Sequence, residues 1–237
     1  MKRGIVCTLG PASWNYIKKL KDNGMSIARI NGSFGYPYKG AIMELKKIGV
    51  PVLVDIPGDR IKHRITFVTD EELIDFAKKY DLDYVGLSYV NDAEEIRKFR
   101  ERLDGKRIKV IAKIETEEGY NNREEIIKEG DMIMIDRGDL TMSIGFEKVP
   151  FAQMKVVEDC NRLDKEVIVA TELMMSTLKE KSPNCADVSN IFFALYHGAN
   201  YVTLSEETAI GKYPINAIIK VNQIIKELKA QIEKNGK

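Results

Sequence analysis

Lys113-Ile114-Glu115 closes the apolar run Ile108-Lys109-Val110-Ile111-Ala112, and Arg137-Gly138-Asp139 closes a second run from Met132 to Ile135. Two strand ends of this kind bring one cation on a packed stem and two carboxylates to one place. An α/β barrel builds a divalent-metal site for an oxyanion substrate in this way. Each carboxylate alone reads equally well as half of a salt bridge, and Lys113 as the partner of Glu115 or Asp139. Their position on neighbouring strand ends favours the site.

Such a site needs a frame. Short β-branched apolar runs alternate with amphipathic stretches, and the alternation repeats eight times without a break in composition. Strands are expected at 4–9, 25–30, 50–55, 83–88, 108–114, 132–136, 166–170 and 200–204. Between them lie helical patterns such as Asp92 to Leu103, with Ala93, Ile96, Phe99 and Leu103 on one face. Continuous apolar strands mean a parallel sheet buried on both sides, closed as a single (β/α)8 TIM barrel that takes residues 1–237 as one domain. The length of 237 residues suits such a barrel, which typically needs about 250.

Composition narrows the partners. The 37 basic and 36 acidic residues are interspersed and leave a net charge of +1, so no broad positive field exists to attract nucleic acid. The Lys-rich stretch from Lys226 to Lys237 reads as a solvated helix end. No apolar run reaches membrane-spanning length, and Met1-Lys2-Arg3 leads straight into a strand, which points to a cytoplasmic protein. Cys7, Cys160 and Cys185 lack metal spacing and read as reduced core thiols.

At the carboxyl ends of the strands, where a barrel keeps its chemistry, the residues are polar and densely ionisable. They are Thr8 to Ser13, Arg29 with Asn31 and Ser33, Asp55, Ser88, Lys113 with Glu115, Arg137-Gly138-Asp139, Thr171-Glu172, and Ser205 to Thr208. Turns alone do not require so many charges.

These residues resemble the pyruvate kinase family. Gly4-Ile5-Val6-Cys7-Thr8-Leu9-Gly10-Pro11-Ala12-Ser13 is similar to its opening strand, Ala28-Arg29-Ile30-Asn31 to its second, and Ala112-Lys113-Ile114-Glu115 with Glu118-Gly119 to its fifth. Arg137-Gly138-Asp139-Leu140, Val169-Ala170-Thr171, and Leu204-Ser205 with Glu207-Thr208-Ala209, Gly211, Tyr213 and Pro214 follow in the family's order. Six ordered matches are specific where one would be weak.

The resemblance implies roles. Glu115 and Asp139 would hold Mg2+ or Mn2+ with open positions for a 2-oxo acid or enolpyruvate. Lys113 would stabilise a transferring phosphoryl group or an enolate oxygen, and the N–H groups of Gly138 and Asp139 would bind the substrate carboxylate. Thr171, with water, would deliver a proton to the enolate carbon, although a lone Thr at a strand end is as often a packing residue. Arg29 would help hold the phosphoryl group or the carboxylate. Asn31, Ser33 and Asp55 resemble ligands of K+.

Departures from the family pattern fall on one side. A whole lid domain would stand between the third strand and third helix, where only Ile56 to Asp70 lie here. The family's Asp-Thr-Lys-Gly-Pro-Glu-Ile-Arg is Asp55-Ile56-Pro57-Gly58-Asp59-Arg60-Ile61-Lys62, its Ser-His-Gly is Ser33-Phe34-Gly35, and its Ser-Gly-Glu-Thr is Ser205-Glu206-Glu207-Thr208. The regulatory carboxyl-terminal domain is likewise expected to be missing. What is kept serves the three-carbon acid; what is altered serves the nucleotide.

Three readings follow: a metal-dependent enzyme of enolate chemistry on pyruvate, phosphoenolpyruvate or a related 2-oxo acid; a pyruvate kinase with a minimal lid; and a noncatalytic sensor of such acids. The first is preferred because the retained groups are catalytic in type. A homo-oligomer is expected by resemblance. Asp136, where the family has a small residue, is expected to be turned away from the site by strand alternation, with an extra metal ligand as the alternative. Arg60, Lys62, His63 and Arg64 read as solvated surface, His197 as structural, and Trp14 and Tyr36 as rim or core packing.

Overall fold

The computed structural model describes residues 3–31, 38–57 and 69–234. Ser33, Phe34, Tyr36 and the 60–64 basic cluster lie outside these residues. In chain order the elements are β1 (Gly4–Leu9), α1 (Ile17–Asp22), β2 (Met25–Ile30), α2 (Tyr38–Lys47), β3 (Val52–Ile56), α3 (Asp70–Lys79), β4 (Tyr84–Leu87) and α4 (Ala93–Arg102). They continue as β5 (Lys109–Ile114), α5 (Glu117–Asn121), α6 (Arg123–Glu129), β6 (Met132–Asp136), α7 (Arg137–Ile144), α8 (Val149–Arg162), β7 (Glu166–Ala170), α9 (Cys185–Tyr196), β8 (Tyr201–Leu204), α10 (Glu206–Ala209) and α11 (Pro214–Lys234). The strands pair in parallel in sequence order, and β8 returns to β1, so the sheet is a closed barrel of the expected (β/α)8 type.

Strand alternation divides the apolar residues into two layers. Val6, Ile27, Leu53, Ile111, Met132, Met134, Ile168, Ala170 and Tyr201 plug the barrel interior, while Ile5, Ala28, Val54, Val110, Ile133, Val167 and Val202 pack outward under the helices. Several strands start later than the hydrophobic runs suggest. At β3 the reason is Pro51, which has no N–H for the ladder, and Val52, whose N–H donates to the Asp83 carboxylate instead. Helix starts follow their caps: Thr69 forms a capping box with Glu72, and Asp92 accepts from the Glu95 N–H. Among the described residues no helix is long and apolar enough to cross a membrane.

Two of the three thiols are core groups. Burial pushes Cys7 and Cys160 well above the ordinary thiol range, but Cys185, the first residue of α9, is exposed and corrects the expectation for that position. His197 caps the end of α9 and stacks tilted on Phe193 with ring centroids 4.4 Å apart. Trp14 is buried in the helix-side core.

Candidate active site at the carboxyl ends of the strands

Continuing the two-residue period of each inward face leads from the apolar plug to polar side chains. Val6 leads to Thr8, Ile27 to Arg29, Leu53 to Asp55, Ile111 to Lys113, Met134 to Asp136 and Tyr201 through Thr203 to Ser205. The interior therefore changes over one residue layer from apolar to charged. Gly86 on β4 makes room for this layer, because a Cβ there would stand 2.8 Å from Asp55 Oδ1.

At the centre lies a dense ion network. Arg29 donates to Asp55 Oδ2 from Nε at 2.9 Å and from Nη2 at 2.5 Å, and its Nη1 stands 3.4 Å from both Thr8 Oγ1 and Ser205 Oγ. Lys113 Nζ donates to Ser88 Oγ at 3.1 Å and lies 2.8 Å from Glu115 Oε1, 3.6 Å from Asp55 Oδ2 and 3.8 Å from Asp136 Oδ2. Burial alone would lower the Lys113 pKa, but Asp55, Glu115 and Asp136 outweigh it and hold the ammonium well above its ordinary range. Burial and the nearby Asp136 push the Glu115 carboxyl up to about 7, against the pull of Lys113 and the Tyr89 N–H.

Asp136 corrects the sequence expectation: alternation turns it inward. Met132 and Met134 already face the interior, so the residue two further on does too, and only 3% of Asp136 is exposed. One oxygen each from Glu115, Asp136 and Asp139 lies within 4.8 Å of the others. A small cavity of about 20 Å³ touches all three, together with Asp55 and Lys113, room for one ion or one water. Glu115 Oε1 and Asp55 Oδ1 are buried without a hydrogen bond, the Glu115–Lys113 approach being an ion pair that lacks hydrogen-bond angles. All-oxygen donors and buried lone pairs without a hydrogen bond fit a divalent ion of the Mg2+ or Mn2+ type.

The substrate-sized space lies beside this cluster. It is a cavity of about 500 Å³ lined on one wall by Asp136, Gly138, Asp139 and Thr171, and elsewhere by Arg29 and Asn31. Thr171 and Glu172 are left-handed, with φ of 65° and 53°, a costly conformation for a β-branched residue. Arg137 holds the turn by donating to the carbonyls of both residues. The turn sets Thr171 Oγ1 to accept from the Gly138 N–H at 2.8 Å, with Asp136 Oδ1 at 3.0 Å and Ala170 O at 2.7 Å as acceptors for its proton.

The sequence-predicted groups Arg29, Asp55, Lys113, Glu115, Gly138, Asp139, Thr171 and Asn31 thus surround two adjoining cavities. Ser33 lies outside the described residues. Asp55, assigned to K+ by resemblance, is bound to Arg29 through Oδ2 and keeps only Oδ1 open. Glu207 is buried, with burial raising its pKa, and accepts from the Met174 and Ser205 N–H groups, so it ties two loops together. Tyr89, which carried no sequence signal, donates its N–H to Glu115, while Ser88 and Arg137, both at strand ends, support the site by accepting from Lys113 and by holding the Thr171 turn.

A closed (β/α)8 barrel that gathers ionisable side chains at the carboxyl ends of its strands is of the TIM-barrel class. The model for "Pyruvate kinase, barrel domain" matches residues 42–218. The chain is similar to the pyruvate kinases of Clostridium perfringens (34% identical over 200 residues, 83% of this chain and 41% of the relative) and Methanocaldococcus jannaschii (36% over 185 residues, 77% and 41%). It is likewise similar to that of Thermococcus litoralis (32% over 222 residues, 93% and 44%). The chain belongs to the pyruvate kinase family, and it spans about two fifths of the length of these curated relatives.

Proposed function

We propose that the protein catalyses divalent-metal-dependent enolate chemistry on pyruvate, phosphoenolpyruvate or a related 2-oxo acid. The single observation that carries this reading is the placement of Lys113, Glu115, Asp139 and Thr171 around two adjoining cavities. Glu115 and Asp139 would hold Mg2+ or Mn2+, which when bound supplies Lewis-acid pull on a substrate oxygen.

The substrate carboxylate would take the N–H groups of Gly138 and Asp139 at the start of α7. A carboxylate accepting from the Gly138 N–H replaces Thr171 Oγ1 there and frees that hydroxyl to face the methyl carbon. As the methyl C–H bond breaks, its electron pair forms the C2–C3 double bond and negative charge moves to the carbonyl oxygen. Lys113, a buried and firmly charged ammonium, stabilises that charge. The proton leaves through water positioned by Thr171. Arg29, with Nη1 toward the larger cavity, orients the acid or a phosphoryl group, and by resemblance Asn31, Ser33 and Asp55 would be ligands of K+.

The test is proton exchange. Purified protein with Mg2+ or Mn2+ and pyruvate in deuterated water should lose the methyl proton signal, and Thr171→Val should slow the loss with little change in pyruvate affinity. No metal-dependent exchange above the protein-free rate would sink the reading.

Phosphoryl transfer to ADP is the second reading, favoured by the names of the relatives. Ile56 and Pro57 argue against efficient transfer: Ile56 packs into the helix-side core, and Pro57 brings no donor to the small cavity it lines. ATP formation at saturating phosphoenolpyruvate, ADP, Mg2+ and K+ should fall below the kinase range of about 1 to 100 per second. A rate within that range promotes the kinase reading, while tight binding of the acid with neither activity marks a sensor.

A further inference from the structure

We propose that Asp136 is a third protein ligand of the divalent ion, so that this chain builds a three-carboxylate site from Glu115, Asp136 and Asp139. The inference rests on the reading that the barrel mouth binds such an ion.

Two observations of different kinds carry it. The first is placement: β6 directs Asp136 into the interior, and one of its carboxylate oxygens lies within 4.8 Å of an oxygen from each of Glu115 and Asp139. Asp136 also lines the small cavity those residues share.

The second is incomplete compensation. Asp136 is 3% exposed, yet only Oδ1 has a hydrogen bond, from Thr171 Oγ1 at 3.0 Å. Oδ2 meets its cations, Lys113 Nζ and Arg29 Nη2, at 3.8 and 4.0 Å, beyond hydrogen-bond reach. Stripping a carboxylate of water costs several kcal/mol, which ion contacts at that range offset only in part. An ion among the carboxylates of Glu115, Asp136 and Asp139 would complete the shell of Glu115 Oε1, which is buried without a hydrogen bond.

With a small residue in place of Asp136, as the family pattern has, one ligand would be absent. Affinity at oxygen sites rises with ligand charge, and three protein oxygens still leave positions for water and substrate in an octahedral shell.

Asp136 then touches both halves of the site. Through one oxygen it would hold the ion, and through the other it accepts from Thr171, fixing the hydroxyl relative to that ion.

Calorimetric titration of the full chain with Mn2+ tests this, with Asp139→Asn setting the scale for loss of a ligand. The unsubstituted protein should show one site. Asp136→Ala should weaken Mn2+ binding about tenfold or more, and the bound Mn2+ should gain one coordinated water, read by water-proton relaxation. Asp136→Asn keeps the side chain's shape and gives the same reading if the alanine variant does not fold. Unchanged affinity in a folded variant, or weaker binding without the added water, would overturn the assignment. Failure of the unsubstituted protein to bind Mn2+ overturns both this inference and the proposed function. Weakened binding in the Asp136 variants together with absent pyruvate exchange removes only the proposed reaction.

Discussion

Asp159 on α8 and the carboxylates at the barrel mouth are buried acids among cations, yet the two arrangements are balanced in opposite senses. One carboxylate, Asp159, receives Arg123 Nε at 2.9 Å, Lys155 Nζ at 3.2 Å and Arg162 Nη2 at 3.3 Å, and those cations reach solvent. At the mouth Asp55, Glu115 and Asp136 share Arg29 and Lys113, all deeply buried, and among the described residues Asp55 Oδ1 and Glu115 Oε1 have no hydrogen bond. The first arrangement is complete as it stands and belongs to the structure. The second leaves two buried carboxylate oxygens without a hydrogen bond, which on the proposed reading is capacity to bind an ion.

The largest expected effect on activity comes from removing the cation that the proposed reaction uses. Lys113→Met should lower pyruvate proton exchange by about 10² to 10³-fold, the usual cost of deleting a preorganised stabilising group. Mn2+ binding should persist, and tighten, because the variant removes a cation from 2.8 Å beside Glu115. Retained exchange in a folded Lys113→Met protein would place the chemistry elsewhere in the cavity.

The comparison sharpens when one carboxylate from the mouth is neutralised without metal. Burial raises Glu115 to about 7, so the metal-free folded protein holds this proton more firmly than the unfolded chain does. The charged form therefore costs stability, a cost that grows as pH rises from the usual carboxylate range toward 7 and is constant above it. Glu115→Gln should raise the melting temperature of metal-free protein at pH 8 by about 2 to 4 °C, the response of a domain this size to about 1 kcal/mol. The same variant should lose most of its Mn2+ affinity. A lower melting temperature would mean that Glu115 is a structural partner of Lys113 after all.

Legibility in the sequence followed periodicity and failed where contacts are local. Eight apolar runs were enough for the barrel, because parallel strands buried on both faces have few other arrangements. Lys113, Glu115 and Asp139 were readable for the same reason: strand ends in a barrel converge. Asp136 was misjudged because alternation was counted from the wrong face; starting at Met132, the period of two sends it inward. Arg137 stood out at its strand end, but its hold on the left-handed turn at Thr171 and Glu172 was not legible, since no spacing in the chain announces a turn held by a side chain from the neighbouring strand.

The smallest effect is expected on the complete side of the comparison. Burial acts to raise the Asp159 pKa, but Lys155, Arg123 and Arg162 outweigh it and hold the carboxyl below its ordinary range. A depressed folded pKa contributes stability above the unfolded value of about 3.9 and loses it as pH falls through the folded pKa. Because the three cations are partly solvated, Asp159→Asn should cost only about 1 kcal/mol at pH 7, and the variant and parent should converge near pH 2. Chemical denaturation across that pH range checks the sign. Mn2+ affinity should not change, since α8 presents this carboxylate to the outer helices and not to the mouth. An Asp159 variant that gained stability, as Glu115→Gln is expected to, would erase the distinction between the two acidic sites.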